Sequence, residues 1–348
     1  MIFDALYQVL LGSCGAALLV GLRRHRQLPL KLVLGVPGFA ALILAAALGR
    51  DLFDLMRLMG HAVFFHAPLA LMIAALLIVG TRRKAAAACV TLALLLVAIY
   101  VDAYHIEPER LETTHVRVAA PAGQAPLRIA VLADIQTDRV GPYEQQTLAT
   151  ALAERPDLLL LPGDFLQIHG PERPAQVAAL RALFRELTPL PPRGIWAVGG
   201  NVDPPGWEQI FEGTAVRTMV SPHTAELGDG LYLTGLDLDA SFDHKQVIAR
   251  PAGARYHVVF GHAPDFALGR VEADLLVAGH THGGQVQLPL IGPLITLSGV
   301  PNAWASGVTE LGAGKTLVVS RGVGLERGNA PRMRFLCRPE LVIVEVKP

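Results

Sequence analysis

The strongest constraint on this chain lies in its first 104 or so residues, which are almost all Leu, Ala, Val, Ile and Gly, broken by short charged clusters. Four apolar stretches there, near Ile2–Leu22, Leu32–Gly49, Met59–Gly80 and Ala85–Tyr104, are long enough to cross the hydrocarbon core of a bilayer, which takes about 20 residues of helix. The first is not read as a cleavable signal, because basic residues follow its long apolar run and three more such stretches come after it. Residues 1–104 are therefore expected to form an all-α, four-helix transmembrane domain. Arg23, Arg24, Arg26 and Lys31 lie between the first and second spans, and Arg82, Arg83 and Lys84 between the third and fourth. The intervening loop mixes Arg50 and Arg57 with Asp51 and Asp54. An excess of Lys and Arg marks cytoplasmic loops, so the chain is expected in an inner (cytoplasmic) membrane with its remainder on the periplasmic or extracytoplasmic side. His61 and His66 fall in the third span and are read as packed polar groups near the outer leaflet. A haem between two helices would need a ligand on another span.

Beyond the spans the composition becomes that of an ordinary globular domain. Thirty Lys and Arg balance thirty Asp and Glu, so no nucleic-acid partner is predicted. Cys337 is the one cysteine of the globular part, which excludes a disulfide or a thiolate metal cluster within it. Residues 105–126 read as a polar connector and residues 127–348 as the folded domain. Strand-like runs at Leu127–Leu132, Asp157–Leu161 and Gly194–Val198 alternate with helical patterns at Tyr143–Glu154 and Ala175–Leu187, an order that implies parallel strands covered by helices. Further apolar runs at Leu231–Leu236, Tyr256–Phe260, Leu275–Ala278, Thr316–Val319 and Leu341–Val346 have fewer helices between them. Two packed sheets with helices outside would accommodate this count.

Polar residues follow five of these runs, where the strands of an α/β sheet end and ligands bind. Asp134 and Gln136 follow the first, Asp164 the second, and Asn201 and Asp203 the third. His262 follows Tyr256–Phe260, and His280 and His282 follow Leu275–Ala278 in a glycine-rich loop. Any one of these fits a cap or a turn former. Carboxylate, amide and imidazole at five strand ends together point to a metal site.

The blocks Asp134-Ile135-Gln136, Gly163-Asp164, Gly200-Asn201, Gly261-His262 and Gly279-His280-Thr281-His282 resemble, in this order, those of the calcineurin-like metallophosphoesterases. Ser320–Gly324 and Arg334–Glu340 resemble the C-terminal signature of the membrane-attached phosphodiesterase branch of that family. The resemblance implies an α/β fold, a four-layer α/β/β/α sandwich, with two divalent ions at the strand ends. Manganese is expected first, with magnesium, iron(II) and zinc as alternatives. It also implies that Asp134 and His282, with Gln136 beside them, hold one ion, that Asn201, His262 and His280 hold the other, and that Asp164 bridges the two. Asp164, His280 and Asn201 would then stand closest to the chemistry, with Asn201, His169 and Asp203 on the substrate side.

Two positions depart from the family pattern. Gln136 stands where a His is usual, an amide oxygen in place of an imidazole nitrogen, which tilts preference toward harder ions. Val202 stands where the family has the His thought to protonate the leaving group, a role generally contributing about 10²–10⁴-fold in rate. His169, Asp203 or His223 could substitute, or the natural leaving group needs no acid. The expected function is a membrane-anchored phosphodiesterase or pyrophosphatase with metal-bound hydroxide as nucleophile, partnered by the bilayer and a phosphorylated lipid or glycolipid. The alternatives are the UDP-2,3-diacylglucosamine pyrophosphatase of lipid A biosynthesis and a catalytically impaired metal-binding sensor or scaffold.

Overall fold

The computed structural model describes residues 2–25, 29–121, 123–293 and 295–347. It divides into two compact units, one of the residues up to Ile106 with Glu326–Arg332, the other of Glu107–Leu325 with the residues from Met333 onward.

In the first unit four helices among the described residues are long and apolar enough to cross a membrane: α1 (Ile2–Arg24), α2 (Leu30–Leu48), α3 (Leu52–Ile78) and α4 (Arg83–Glu109). Of the basic residues expected between α1 and α2, Arg26 lies outside the described residues. The third helix starts seven residues before the expected Met59, at an N-cap where Asp51 accepts a hydrogen bond from the Asp54 amide (2.7 Å). Its first turns escape a hydropathy reading because their charges pair with one another. Buried Asp54 accepts from Arg50 (3.0 Å) and Arg57 (2.5 Å), and Arg57 also bonds Asp4 of α1. One turn further on, the Gln8 side chain meets both histidines of α3, its Nε2 at 2.7 Å from His61 Nδ1 and its Oε1 at 2.5 Å from His66 Nε2. Both imidazoles thus have a polar partner inside the bundle. Asn329 accepts from Arg50 (3.0 Å) and donates to Asp51 (2.9 Å), which ties the Glu326–Arg332 segment to this unit.

The second unit contains strands β1 (Glu112–Ala119), β2 (Leu127–Val131), β3 (Leu158–Leu161), β4 (Ile195–Ala197), β5 (Val216–Thr218), β6 (His223–Glu226), β7 (Leu231–Gly235), β8 (Tyr256–Phe260), β9 (Leu275–Ala278), β10 (Gly307–Gly312), β11 (Lys315–Val319) and β12 (Glu340–Lys347). Among the described residues they make two six-stranded sheets, in the orders β1-β12-β2-β3-β4-β5 and β10-β11-β9-β8-β7-β6. Strands β2 to β5 run parallel in the first sheet, as do β7, β8, β9 and β11 in the second.

Side chains alternate across each strand, and the two periodic sets enter different cores. Leu158 and Leu160 pack between the sheets with Ile129, Trp196, Val258, Phe260, Val277 and Val344. Leu159 and Leu161 point outward against α5 (Pro142–Ala153) and α6 (Arg173–Arg185) through Leu148, Leu180 and Phe184. Over the second sheet the outer layer is thin, made by α7 (Leu238–Phe242) and the single turn Pro264–Leu268, with Phe266 and Val271 in its core. The result is the four-layer α/β/β/α arrangement expected. Residues 105–126 need correcting, because they are not all connector: Glu112–Ala119 pairs in parallel with β12. Its Glu, Thr, His and Arg hid it, since an edge strand needs few apolar residues, and here Val116 and Val118 alone are buried.

Candidate metal centre

The parallel strands of both sheets deliver their following loops to one place, and these loops are backbone-strained. Asp134 (φ 53°), Gln136 (36°), Asp164 (56°), His280 (69°) and His282 (48°) all adopt left-handed conformations. Such a conformation costs a non-glycine residue about 1–3 kcal/mol and persists where surrounding structure over-determines it. Glycines let the carboxylates lie against main chain. A Cβ on Gly200 would fall 2.1 Å from Asp164 Oδ1, and one on Gly279 would fall 2.6 Å from Asp134 Oδ2.

Asp134, Asp164 and His282 are all buried, and one ligand atom from each lies within 4.8 Å of the others. The His280 amide donates to both Asp134 oxygens (3.0 and 3.1 Å), and the Val202 amide donates to Asp164 Oδ1 (2.9 Å). Beside this group sits a second convergence. His262 is fully buried and donates from Nδ1 to the Pro162 carbonyl (2.8 Å), so its Nε2 presents a lone pair. His280 donates from Nε2 to the Leu297 carbonyl (3.0 Å), so its Nδ1 presents another. These two nitrogens face each other at 3.1 Å, with Asn201 Oδ1 at 2.7 Å and Asp164 Oδ2 at 3.5 Å from His262 Nε2. Acceptors gathered against acceptors repel unless a cation lies among them, so the donor set fits divalent ions. Burial pushes His262 down to about 4, which keeps its imidazole neutral and able to ligate.

The other expected residues divide. Gln136 is buried beside the cluster, and its amide nitrogen donates to Gln167 Oε1 (3.1 Å). Val202 contributes its backbone N–H to Asp164, and its side chain carries no proton to give. Asp203, expected on the substrate side, has its carboxylate engaged by main chain. Its two oxygens accept from the backbone amides of Asp164 (2.8 Å), Phe165 (2.9 Å) and Gly200 (2.9 Å), so it clamps the loop that presents Asp164 and Asn201. Desolvation, and after it the Asp164 carboxylate, push its pKa up. His169 stands exposed in the loop beyond the Thr137–Leu166 bridge, and His223 is exposed on edge strand β6. Buried His257 is a satisfied core group, bonded to Thr234 (2.8 Å) and the Glu272 carbonyl (2.9 Å).

Two residues that sequence reasoning passed over support the ligand loops. Arg334 is fully buried and donates to the carbonyls of Arg321 (2.8 Å), Gly322 (3.0 Å), Gly324 (2.7 Å) and Cys337 (3.0 Å), with Nη2 at 3.5 Å from His282 Nδ1. Its place in the C-terminal signature was the available signal. Asp265 accepts from His244 (2.8 Å), the Gly299 amide (2.8 Å) and the Ser298 hydroxyl, fixing the loop whose Leu297 carbonyl orients His280. Phe242 packs edge-on against His280 at 4.9 Å between ring centroids. Asp265 had only its position three residues after His262 to mark it.

Residues 127–284 match the model of the calcineurin-like phosphoesterase family. The chain carries a calcineurin-like phosphoesterase domain. It is 28% identical over 270 residues to the metallophosphoesterase YkuE of Bacillus subtilis, covering 71% of this chain and 90% of that protein. It is 28% identical over 261 residues to the phosphodiesterase YaeI of Escherichia coli, covering 70% and 91%. A metallophosphoesterase of Aquifex aeolicus is 29% identical over 206 residues, covering 56% and 74%. The phosphoesterase domain is of a family of metal-dependent hydrolases of phosphoesters that uses divalent metals, and Asp134, Asp164 and His282 form a candidate metal-binding cluster in it.

Proposed function

We propose that this chain is a membrane-tethered phosphodiesterase hydrolysing a lipid- or glycolipid-linked phosphate ester on the extracytoplasmic side, with two divalent ions, manganese foremost. The observation that carries the metal reading is the opposition of His262 Nε2 and His280 Nδ1 at 3.1 Å, each with its other nitrogen committed to a backbone carbonyl. Asp134, Asp164 and His282 would hold one ion, with Gln136 adjoining, and Asn201, His262, His280 and Asp164 the other. Two divalent ions together clamp a phosphoryl group and supply a nucleophilic water at neutral pH. The membrane reading rests on the four apolar helices, and α4 runs to Glu109 while β1 begins at Glu112, so the tether is short. The bilayer itself and a phosphorylated lipid are the partners this arrangement favours.

Val202 bears on the substrate. A site with no imidazole there suits a leaving group that is already a weak base, such as a nucleotide phosphate or a pyrophosphate limb. That feature favours a second reading, hydrolysis of UDP-2,3-diacylglucosamine, which requires the domain on the cytoplasmic side where nucleotide sugars reside. Purified full-length protein assayed with bis-p-nitrophenyl phosphate and Mn²⁺, with Asp164→Asn as control, tests catalysis. Inactivity with every divalent ion and several diesters would leave the metal-binding scaffold as the surviving reading. A topology reporter fused after Lys347 separates the two substrate readings, since activity only in the cytoplasm sinks the extracytoplasmic one.

A further inference from the structure

Small residues in membrane helices ordinarily bring two backbones into close contact. At three glycines of the helical unit they do not. A Cβ added at Gly15 or Gly38 would meet nothing within 4 Å, and one at Gly12 would meet only His66, at 3.8 Å. These glycines line a cavity of about 350 Å³ bounded by α1, α2, α3 and α4. His66 is the one polar side chain among its lining residues, and Gln8 already engages that imidazole. Interiors are close-packed because an unfilled gap forfeits dispersion contacts. A gap of this size is more than twice the about 150 Å³ of an apolar cavity that stays dry and takes up benzene.

Shape and location select the occupant. The lining residues of α3 run from Met59 to Ile73, about 21 Å along the helix axis at 1.5 Å per residue. A groove of that length with a single polar lining residue matches an extended hydrocarbon chain in length and polarity. Gly38 and Leu69 line the groove and are also exposed on the outside of the bundle, Leu69 at 62%, so it is continuous with the surface presented to lipid.

We infer that this groove is a binding site for one hydrocarbon tail of a bilayer lipid, held between the helices rather than around them. The site goes beyond the proposed hydrolysis and stands whether or not the phosphate cleaved belongs to that same lipid. It gives the helical unit a recognition role in addition to anchoring.

The test is photo-cross-linking of the full chain in nanodiscs doped with a phospholipid carrying a mid-chain diazirine, with adducts mapped by mass spectrometry. Adducts should concentrate on residues 11–19, 33–41 and 59–73. Gly15→Leu with Gly38→Leu should lower them at least fivefold, because leucine fills the groove. Gly35→Leu serves as the control, since Gly35 also opens on free space but lies off the lining. Adducts spread evenly over outward residues such as Ile43, Leu76 and Leu94, or unchanged in the filled variant, overturn the site. Should the double variant fail to accumulate, the wild-type adduct distribution decides alone. Hydrolysis of bis-p-nitrophenyl phosphate, which has no tail, should be unchanged in the filled variant, so loss of the lipid-ester reading and loss of the groove are read separately.

Discussion

The two ion positions proposed above would share Asp164, but their surroundings are built on different principles. On one side, His262 and His280 are each locked into a single tautomer by a backbone carbonyl, and a neutral amide oxygen joins them. On the other, anionic Asp134 is gripped by the His280 amide, Gln136 is tied to Gln167, and His282 lies beside the buried Arg334 guanidinium. The first position relies on preset imidazole geometry and the second on carboxylate charge in a buried setting. The departure at Gln136 therefore falls where affinity depends least on imidazole, and it should select a harder ion without emptying the site.

Four substitutions break or sharpen that contrast. Asp164→Asn removes the carboxylate common to both positions and should lower kcat/KM for bis-p-nitrophenyl phosphate about 10³-fold, equivalent to about 4 kcal/mol. Elemental analysis should show fewer than two metals per chain, and a fully active, fully loaded variant would contradict a shared ligand. Val202→His should raise turnover of diesters with poor leaving groups by about 10²-fold or more while leaving p-nitrophenolate release unaltered. An equal gain on both substrates would point to altered metal binding instead. Arg334→Met leaves several buried carbonyls unpaired and should destabilise the domain by about 3 kcal/mol in denaturant titration. The metal bound by His282 should be lost before the one bound by His262, and simultaneous loss would argue that the positions are not separable. Gln136→His should tighten the carboxylate-rich position roughly tenfold and move its preference toward zinc, as read by competition with a chelator.

Much of this molecule could be read from residue order, for a definite reason. Spans reveal themselves by length and apolarity, and the parallel strands by apolar runs followed at once by Asp, Asn or His. What stayed hidden depends on neighbours that only folding supplies. Asp54 and Arg57 look like the loop before a helix until each is seen to neutralise the other within α3. Asp203 looks like a substrate-side group until three amides are found on its oxygens. Arg334 was marked only by its place in the C-terminal signature, and its role stayed hidden because its partners are carbonyls brought together by folding. The strained backbone at Asp134, Asp164, His280 and His282 is equally silent in composition.

The place of β12 between β1 and β2 has a consequence in time. Residues 340–347 are synthesised more than two hundred residues after β1 and β2, yet these two strands are joined through them. Until they arrive, β1 has no partner and one side of β2 lies open, a surface prone to mispairing. Closure then requires contacts more than two hundred residues apart, the kind that slow folding most. A nascent chain stopped before Glu340 should thus hold a half-built sheet, completed only once β12 has been made.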